Sequence, residues 1–222
     1  MNQSAVINAG ENIYEKSIKI VESLLEDNID FHNKYSYLER QIVKRVIHAT
    51  SDVNYADTVF FKNKPAEKTI ELIRDKIAKN ELLKIVCDSE MTKAGISKNI
   101  NKKVILDVHC FINHKSLPEP AGQTKSAVAI KYAIGEIFPD IIVIGNAPTA
   151  LLAAIDYCGE LTKTSNYFPS LIIGMPVGFV GASESKTLLY ENDMFNSVGN
   201  FGNFGGSSPA AAALNALLYE SL

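Results

Sequence analysis

The 222-residue sequence lacks both common phosphate cradles: no Gly-x-Gly-x-x-Gly fingerprint and no Gly-x-x-x-x-Gly-Lys-Ser/Thr loop follows an apolar run. That disfavours a nucleotide-dependent enzyme, a reading that general α/β analogy alone would suggest. Long basic tracts are also missing, and the formal net charge is −3, so a protein built to bind a phosphate backbone is not expected. No uninterrupted apolar run is long enough to span a bilayer, and Met1–Gly10 lacks the basic, apolar and small-residue succession of an export leader. The expectation is a soluble cytoplasmic protein that partners neither nucleic acid nor membrane. Only three cysteines are present, Cys87, Cys110 and Cys158, with no Cys-x-x-Cys among them. They cannot all pair within one chain and are expected to be buried free thiols.

What is present is a periodic alternation of helix and strand signals. From Asn12 to Leu25 the apolar residues Ile13, Ile20 and Leu24, flanked by Tyr14, Ile18, Val21 and Leu25, have amphipathic helical spacing, and Ser17 falls on that side. A second helix is expected over Tyr37–His48, where Leu38, Ile42, Val43, Val46 and Ile47 form a stripe with Lys44 and His48 off it. A third starts at Pro65 and carries Ile70, Leu72, Ile73 and Ile77. Short β-branched runs then follow at Leu82–Cys87, Val104–Leu106, Ile141–Ile144 and Leu171–Ile173, which read as buried strands; Phe195–Val198 is a weaker one. Helical stretches over Ser126–Phe138, Thr149–Cys158 and Ser183–Tyr190 separate the later runs, as crossovers of a parallel sheet require. A last helix runs from Pro209 to Tyr219 after the Gly202–Gly206 loop. With no low-complexity linker, these signals give one α/β domain over residues 1–222: a mostly parallel sheet flanked by helices, with a helical N-terminal portion.

Three segments carry more specific information. Lys44-Arg45-Val46-Ile47-His48-Ala49-Thr50 puts a histidine between a basic helical segment and a polar break. Ile144-Gly145-Asn146-Ala147-Pro148-Thr149-Ala150-Leu151 and Gly174-Met175-Pro176-Val177-Gly178-Phe179-Val180-Gly181-Ala182-Ser183-Glu184-Ser185-Lys186 each follow a strand and open a helix. Taken together they resemble the precorrin-8X methylmutases, also called cobalt-precorrin-8 methylmutases, and the resemblance extends over nearly the whole chain.

That resemblance implies an isomerase of corrinoid biosynthesis moving a methyl group from C-11 to C-12 of precorrin-8 or its cobalt analogue, giving hydrogenobyrinate or cobyrinate. It also implies a homodimer with active sites near the subunit interface, and no external cofactor. The family's catalytic histidine maps onto His48, as general acid. On the residues alone, a surface or capping histidine is the favoured reading of His48. A helix C-terminus would favour its imidazolium, whereas Lys44 and Arg45 disfavour it, so the sign of its pKa shift stays open. Beside it, Arg45 belongs to the same motif, and Tyr14 and Ser17 match the family's Tyr-Glu-x-Ser pattern. Helix packing is the plainer reading of the latter two.

Further contacts to the substrate's acetate and propionate arms are expected from loop amides and side chains. The Gly145 turn would offer its amides together with Asn146 and Thr149. The next loop offers Gly178, Phe179 to lie on the flat macrocycle, and Lys186 to meet an anionic arm, although Phe179 could be core. Lys125 and Ser126 match a segment that usually reads Thr-Arg-Ser, so here a bidentate guanidinium is replaced by a point charge. Asp88 and Met91 match as well, with a strand-end turn for Asp88 and helix packing for Met91 as even alternatives, while Cys87 stands where the family commonly has threonine. His109, Cys110 and His114 complete no closed ligand pattern, so no metal site is expected, and any cobalt would arrive within the substrate. A noncatalytic corrinoid-binding module is the alternative function.

Overall fold

The computed structural model describes residues 3–97 and 103–222, with side chains from residue 13 onward; Met1 and Asn2, part of the N-terminal stretch read above, lie outside the described residues. The N-terminal portion is helical: α1 (Gln3–Leu25), α2 (Ile29–Lys34), α3 (Tyr37–Thr50) and α4 (Tyr55–Thr58). After it come β1 (Val59–Lys62), α5 (Pro65–Lys79), β2 (Leu82–Cys87), α6 (Glu90–Gly95) and β3 (Ile105–Cys110). The remainder is α7 (Lys125–Ile137), β4 (Ile141–Ile144), α8 (Pro148–Ser165), β5 (Leu171–Gly174), α9 (Ala182–Glu191), β6 (Ser197–Asn200) and α10 (Ser207–Glu220).

The six strands form one sheet in the order β1-β6-β5-β4-β2-β3. All neighbours are parallel except β1, which pairs antiparallel with β6. The mostly parallel sheet flanked by helices is therefore the observed architecture. Side chains alternate across the strands, so Ile141 and Val143 face one helical layer and Ile142 and Ile144 the other, all fully buried. The first layer includes α3, α5 and the alanine-rich α10; the second is built from α7, α8 and α9. Residues buried on both faces explain why these strands read as continuous apolar runs rather than alternating ones.

Two strand expectations need correction. β3 runs Ile105–Cys110 rather than Val104–Leu106, and it is a half-exposed edge strand, not a buried one. β6 begins at Ser197, two residues after the expected start. Phe195 itself packs in the core against Phe168, while the polar Ser197 and Asn200 are buried within the strand. The antiparallel β1 and the short helices α2, α4 and α6 had no counterpart in the sequence reading. Among the described residues no helix is long and apolar enough to cross a membrane.

At α1 the side that packs is the one carrying Tyr14, Ser17, Val21 and Leu25, whereas Ile13, Ile20 and Leu24 are exposed. Lys44 is not off the packed side of α3 as its charge suggested: it is buried against α1, where its Nζ bonds Glu22 Oε1 at 2.8 Å. β2 lies between β3 and β4, so the direction of winding reverses between β2 and β4. In open α/β sheets the crevice at the carboxyl ends of such a strand pair is the usual ligand position.

Candidate active site

α3 is set by its ends. Ser36 and Glu39 form a capping box at the start, and Ser51 closes it in a left-handed conformation at φ 56°. His48 is thus held in the last turn, half-buried, facing α1. Its Nδ1 lies 2.7 Å from Ser17 Oγ. The Tyr14 ring stands edge-on to the imidazole, 5.0 Å between centroids at 85°. Arg45 donates from its Nη1 to Tyr14 Oη at 2.9 Å, and its guanidinium lies 5.0 Å from the Tyr14 centroid and 4.2 Å from that of Tyr219. The sequence thus anticipated four of the residues in this cluster, and the structure brings them together. Tyr219, at the far end of the chain, was missed because nothing in its local sequence points to α3.

Burial first and the Arg45 guanidinium second lower the pKa of His48 below the ordinary histidine value of 6.5. The helix C-terminus does not win, and at neutral pH the uncharged form of the imidazole is favoured. An Nδ1 that accepts the Ser17 hydroxyl proton leaves Nε2 carrying the ring proton. The imidazole borders a cavity of about 240 Å³ whose wall includes Arg45, Ala49, Gly95, Ser208 and Ala212. The small side chains there let α10 approach α3, and Ser208 Oγ donates to the Ala49 carbonyl at 3.0 Å, one residue beyond His48.

A second group of anticipated residues gathers at the starts of α7 and α8. Asn146, Thr149 and Lys125 are exposed and Ser126 is half-buried. Thr149 Oγ1 lies 2.7 Å from Thr124 Oγ1, the N-cap of α7, and Lys125 Nζ donates to Asn113 Oδ1 at 3.2 Å. Met91 on α6 is 76% exposed. Phe179 is 95% exposed and so is not core. Beside it, Gly178 takes φ 149°, a conformation that favours glycine, and its N–H donates to the Asn203 carbonyl at 3.0 Å.

Three expectations are overturned. The Gly145, Asn146 and Ala147 amides are not free for substrate: all three donate to the Asp88 carboxylate, at 3.0, 2.9 and 2.7 Å. Asp88, read as a substrate contact, is itself only 4% exposed and is committed to this turn. Burial raises its pKa while the three amides pull it down, and burial prevails. Lys186, read as a partner for an anionic arm, is fully buried, and its Nζ donates to the Phe204 carbonyl at 2.6 Å. Burial lowers its pKa to about 8. It ties α9 to the glycine-rich loop before α10 instead of reaching outward.

Burial disfavours the thiolate at all three cysteines. Burial pushes Cys87 well above the ordinary range, Cys110 to about 11 and Cys158 to about 12. Among the described residues, no three histidine, cysteine or acidic side chains are grouped to hold a metal ion. His109 Nε2 lies 2.7 Å from Asp107 Oδ1 without the alignment of a hydrogen bond, and His114 packs against the Phe111 and Tyr132 rings.

Comparison with known proteins identifies the family. The family model described as CbiC: Precorrin-8X methylmutase matches residues 12–220. A cobalt-precorrin-8 methylmutase of Methanocaldococcus jannaschii is 38% identical over 218 residues, covering 96% of this chain and 95% of that one. A precorrin-8X methylmutase of a Sinorhizobium species is 32% identical, with 97% of each chain covered. The crystal structure of a precorrin-8x methyl mutase from Thermus thermophilus superposes with a TM-score of 0.77 at 29% identity, covering 94% of this chain and 96% of that one.

Proposed function

The chain belongs to the precorrin-8X methylmutase family and is an isomerase of corrinoid biosynthesis, and from that premise we propose that His48 is the group that acts on the macrocycle. The substrate is precorrin-8 or its cobalt form, and the methyl group moves from C-11 to C-12. One carbon–carbon bond breaks and another forms within the same molecule. Substrate and product are isomers, so the balance requires no co-reactant.

With its uncharged form favoured at neutral pH, His48 helps by donating its Nε2 proton as a hydrogen bond to the ring system as charge redistributes, with no net proton gained or lost. Ser17 Oγ, 2.7 Å from Nδ1, fixes this tautomer when its hydroxyl donates to that nitrogen. Tyr14 and Arg45 fix the ring's orientation. The enzyme's larger contribution is orientation, since the migrating methyl must sit over its destination.

The cavity beside His48 lies below the roughly 300–1,000 Å³ of usual ligand clefts and admits only one edge of a tetrapyrrole. The rest of the ring and its carboxylate arms would extend across the exposed rim, where Met91, Lys125, Ser126, Asn146, Thr149, Gly178 and Phe179 are the contacts. Phe179 would lie against the flat ring, and Lys125 would meet an arm as a point charge. A homodimer formed through the outer apolar face of α1, with Ile13, Ile20 and Leu24, would place a second chain beside the helix that carries Ser17. Three free thiols suit a reducing, cytoplasmic setting.

The observation that carries this reading is the Ser17–His48–Tyr14–Arg45 cluster at the mouth of a cavity. His48→Ala is expected to keep the fold and bind hydrogenobyrinate in an optical titration, while conversion of precorrin-8 falls at least about 100-fold. Near-normal turnover in that variant removes His48 from the mechanism. Binding without turnover by the wild-type chain would instead identify a noncatalytic corrinoid-binding module.

A further inference from the structure

The crevice between the ends of β2 and β4, where an open α/β sheet would receive an anionic ligand, is filled by the protein's own carboxylate. Asp88 directly follows β2. Its Oδ1 accepts the Gly145 amide, and its Oδ2 accepts those of Asn146 and Ala147. Successive amides converging on one anion form a fixed nest, and here the nest is occupied from within.

Two paths lead outward from this carboxylate. Through the turn it seats the start of α8, whose Thr149 hydroxyl meets Thr124 at the start of α7. On the other side, the Thr92 hydroxyl lies 3.4 Å from Asp88 Oδ1 and 2.9 Å from Ser207 Oγ at the start of α10. The next residue, Ser208, bonds the Ala49 carbonyl beside His48. The packing is close enough that a Cβ on Gly145 would come within 2.8 Å of the Ser207 Cα. The rim of the sheet and the His48 wall therefore share one buried anchor.

We propose that Asp88 is a positioning residue for the methyl shift, its carboxylate holding the Gly145–Ala147 turn and the helix starts beyond it in fixed relation to His48. The inference rests on the function proposed above. A macrocycle with many arms keeps most of its affinity when one part of the rim loosens, whereas the migrating methyl tolerates only one alignment. Loosening the anchor thus lowers the rate more than the binding. An asparagine at this position keeps the shape but loses the charge, and its amide group faces N–H donors where the carboxylate accepted them.

The experiment compares full-length wild type and Asp88→Asn in precorrin-8 turnover, hydrogenobyrinate titration and amide exchange. The variant is expected to lose about tenfold or more in kcat while its product Kd stays within about threefold. Gly145–Ala147 amides should exchange faster, and the pH at which activity falls off should not move, because His48 keeps its own surroundings. Wild-type kcat in the variant overturns the proposal, as does an equal loss of kcat and affinity, which would mean a purely structural role. Should Asp88→Asn fail to fold, Thr92→Val decides: it keeps the carboxylate and cuts the path to α10, and an unchanged kcat overturns the proposal. A wild-type chain that does not rearrange precorrin-8 refutes the proposed function and this inference together; equal turnover by wild type and variant refutes the inference alone.

Discussion

Ser17 Oγ lies 2.7 Å from His48 Nδ1 across 31 residues of chain, which makes α1 part of the proposed site rather than an appendage to it. Removing that hydroxyl leaves Nδ1 without its partner and frees the ring to change tautomer. Ser17→Ala is therefore expected to lower kcat about tenfold with little change in product affinity. Imidazole nitrogen NMR should show the two tautomers mixing. Full activity in Ser17→Ala would detach α1 from the chemistry.

The direction of the His48 shift sets a pH dependence. Its pKa lies below 6.5, and in the proposed mechanism the uncharged ring is the donor, so kcat/KM is expected to stay level as pH falls from about 8 to 6.5 and to decline only at lower pH. Arg45→Gln removes one of the two causes of the shift and should move the decline to higher pH, with the His48 ring-proton titration moving in step. Activity that climbs with acidity would assign the reaction to the imidazolium instead.

Lys186 offers a test of buried charge. Its folded pKa of about 8 lies below the ordinary 10.5, so between these values the unfolded chain holds the extra proton, and stability rises with pH through that window. Below about pH 8 the folded state carries the full burden of the buried charge, about 3 kcal/mol. In urea unfolding, wild type is expected to gain on Lys186→Met between pH 8 and 10. A difference between the two that does not vary with pH would mean that Lys186 keeps its ordinary pKa in the fold, its charge as well solvated as in the unfolded chain.

The proposed dimer is open to a surface substitution. Ile20 is 62% exposed on the outer face of α1, so Ile20→Glu should change monomer stability by no more than about 0.5 kcal/mol while shifting the elution volume from dimer to monomer. Unchanged assembly would place the interface elsewhere.

The elements best read from sequence were those with a strong local signal. α3 had its apolar stripe, and β4 and β5 were short β-branched runs buried on both faces. β1 was missed although Val59-Phe60-Phe61 is a strand-like run, because four residues carry too little periodicity to stand out. β3 was read as buried because its apolar residues resemble those of β2, while its edge position depends on the order of strands. At the site, His48, Arg45, Ser17 and Tyr14 were legible through a motif. Asp88 and Lys186 were legible as positions but not as settled roles: a strand-end turn was one of two even readings of Asp88, Lys186 in α9 was read as reaching outward, and only packing showed both turned in.

By itself the sequence determined the succession of helices and strands, the buried strand faces and the histidine at the end of α3, since these follow from local spacing and end signals. The tertiary structure decided which charges stand free and which are spent on backbone, how far the His48 proton is held, and that α1 and α10 complete its surroundings. Those depend on desolvation and on contacts between segments more than a hundred residues apart, which no local pattern encodes.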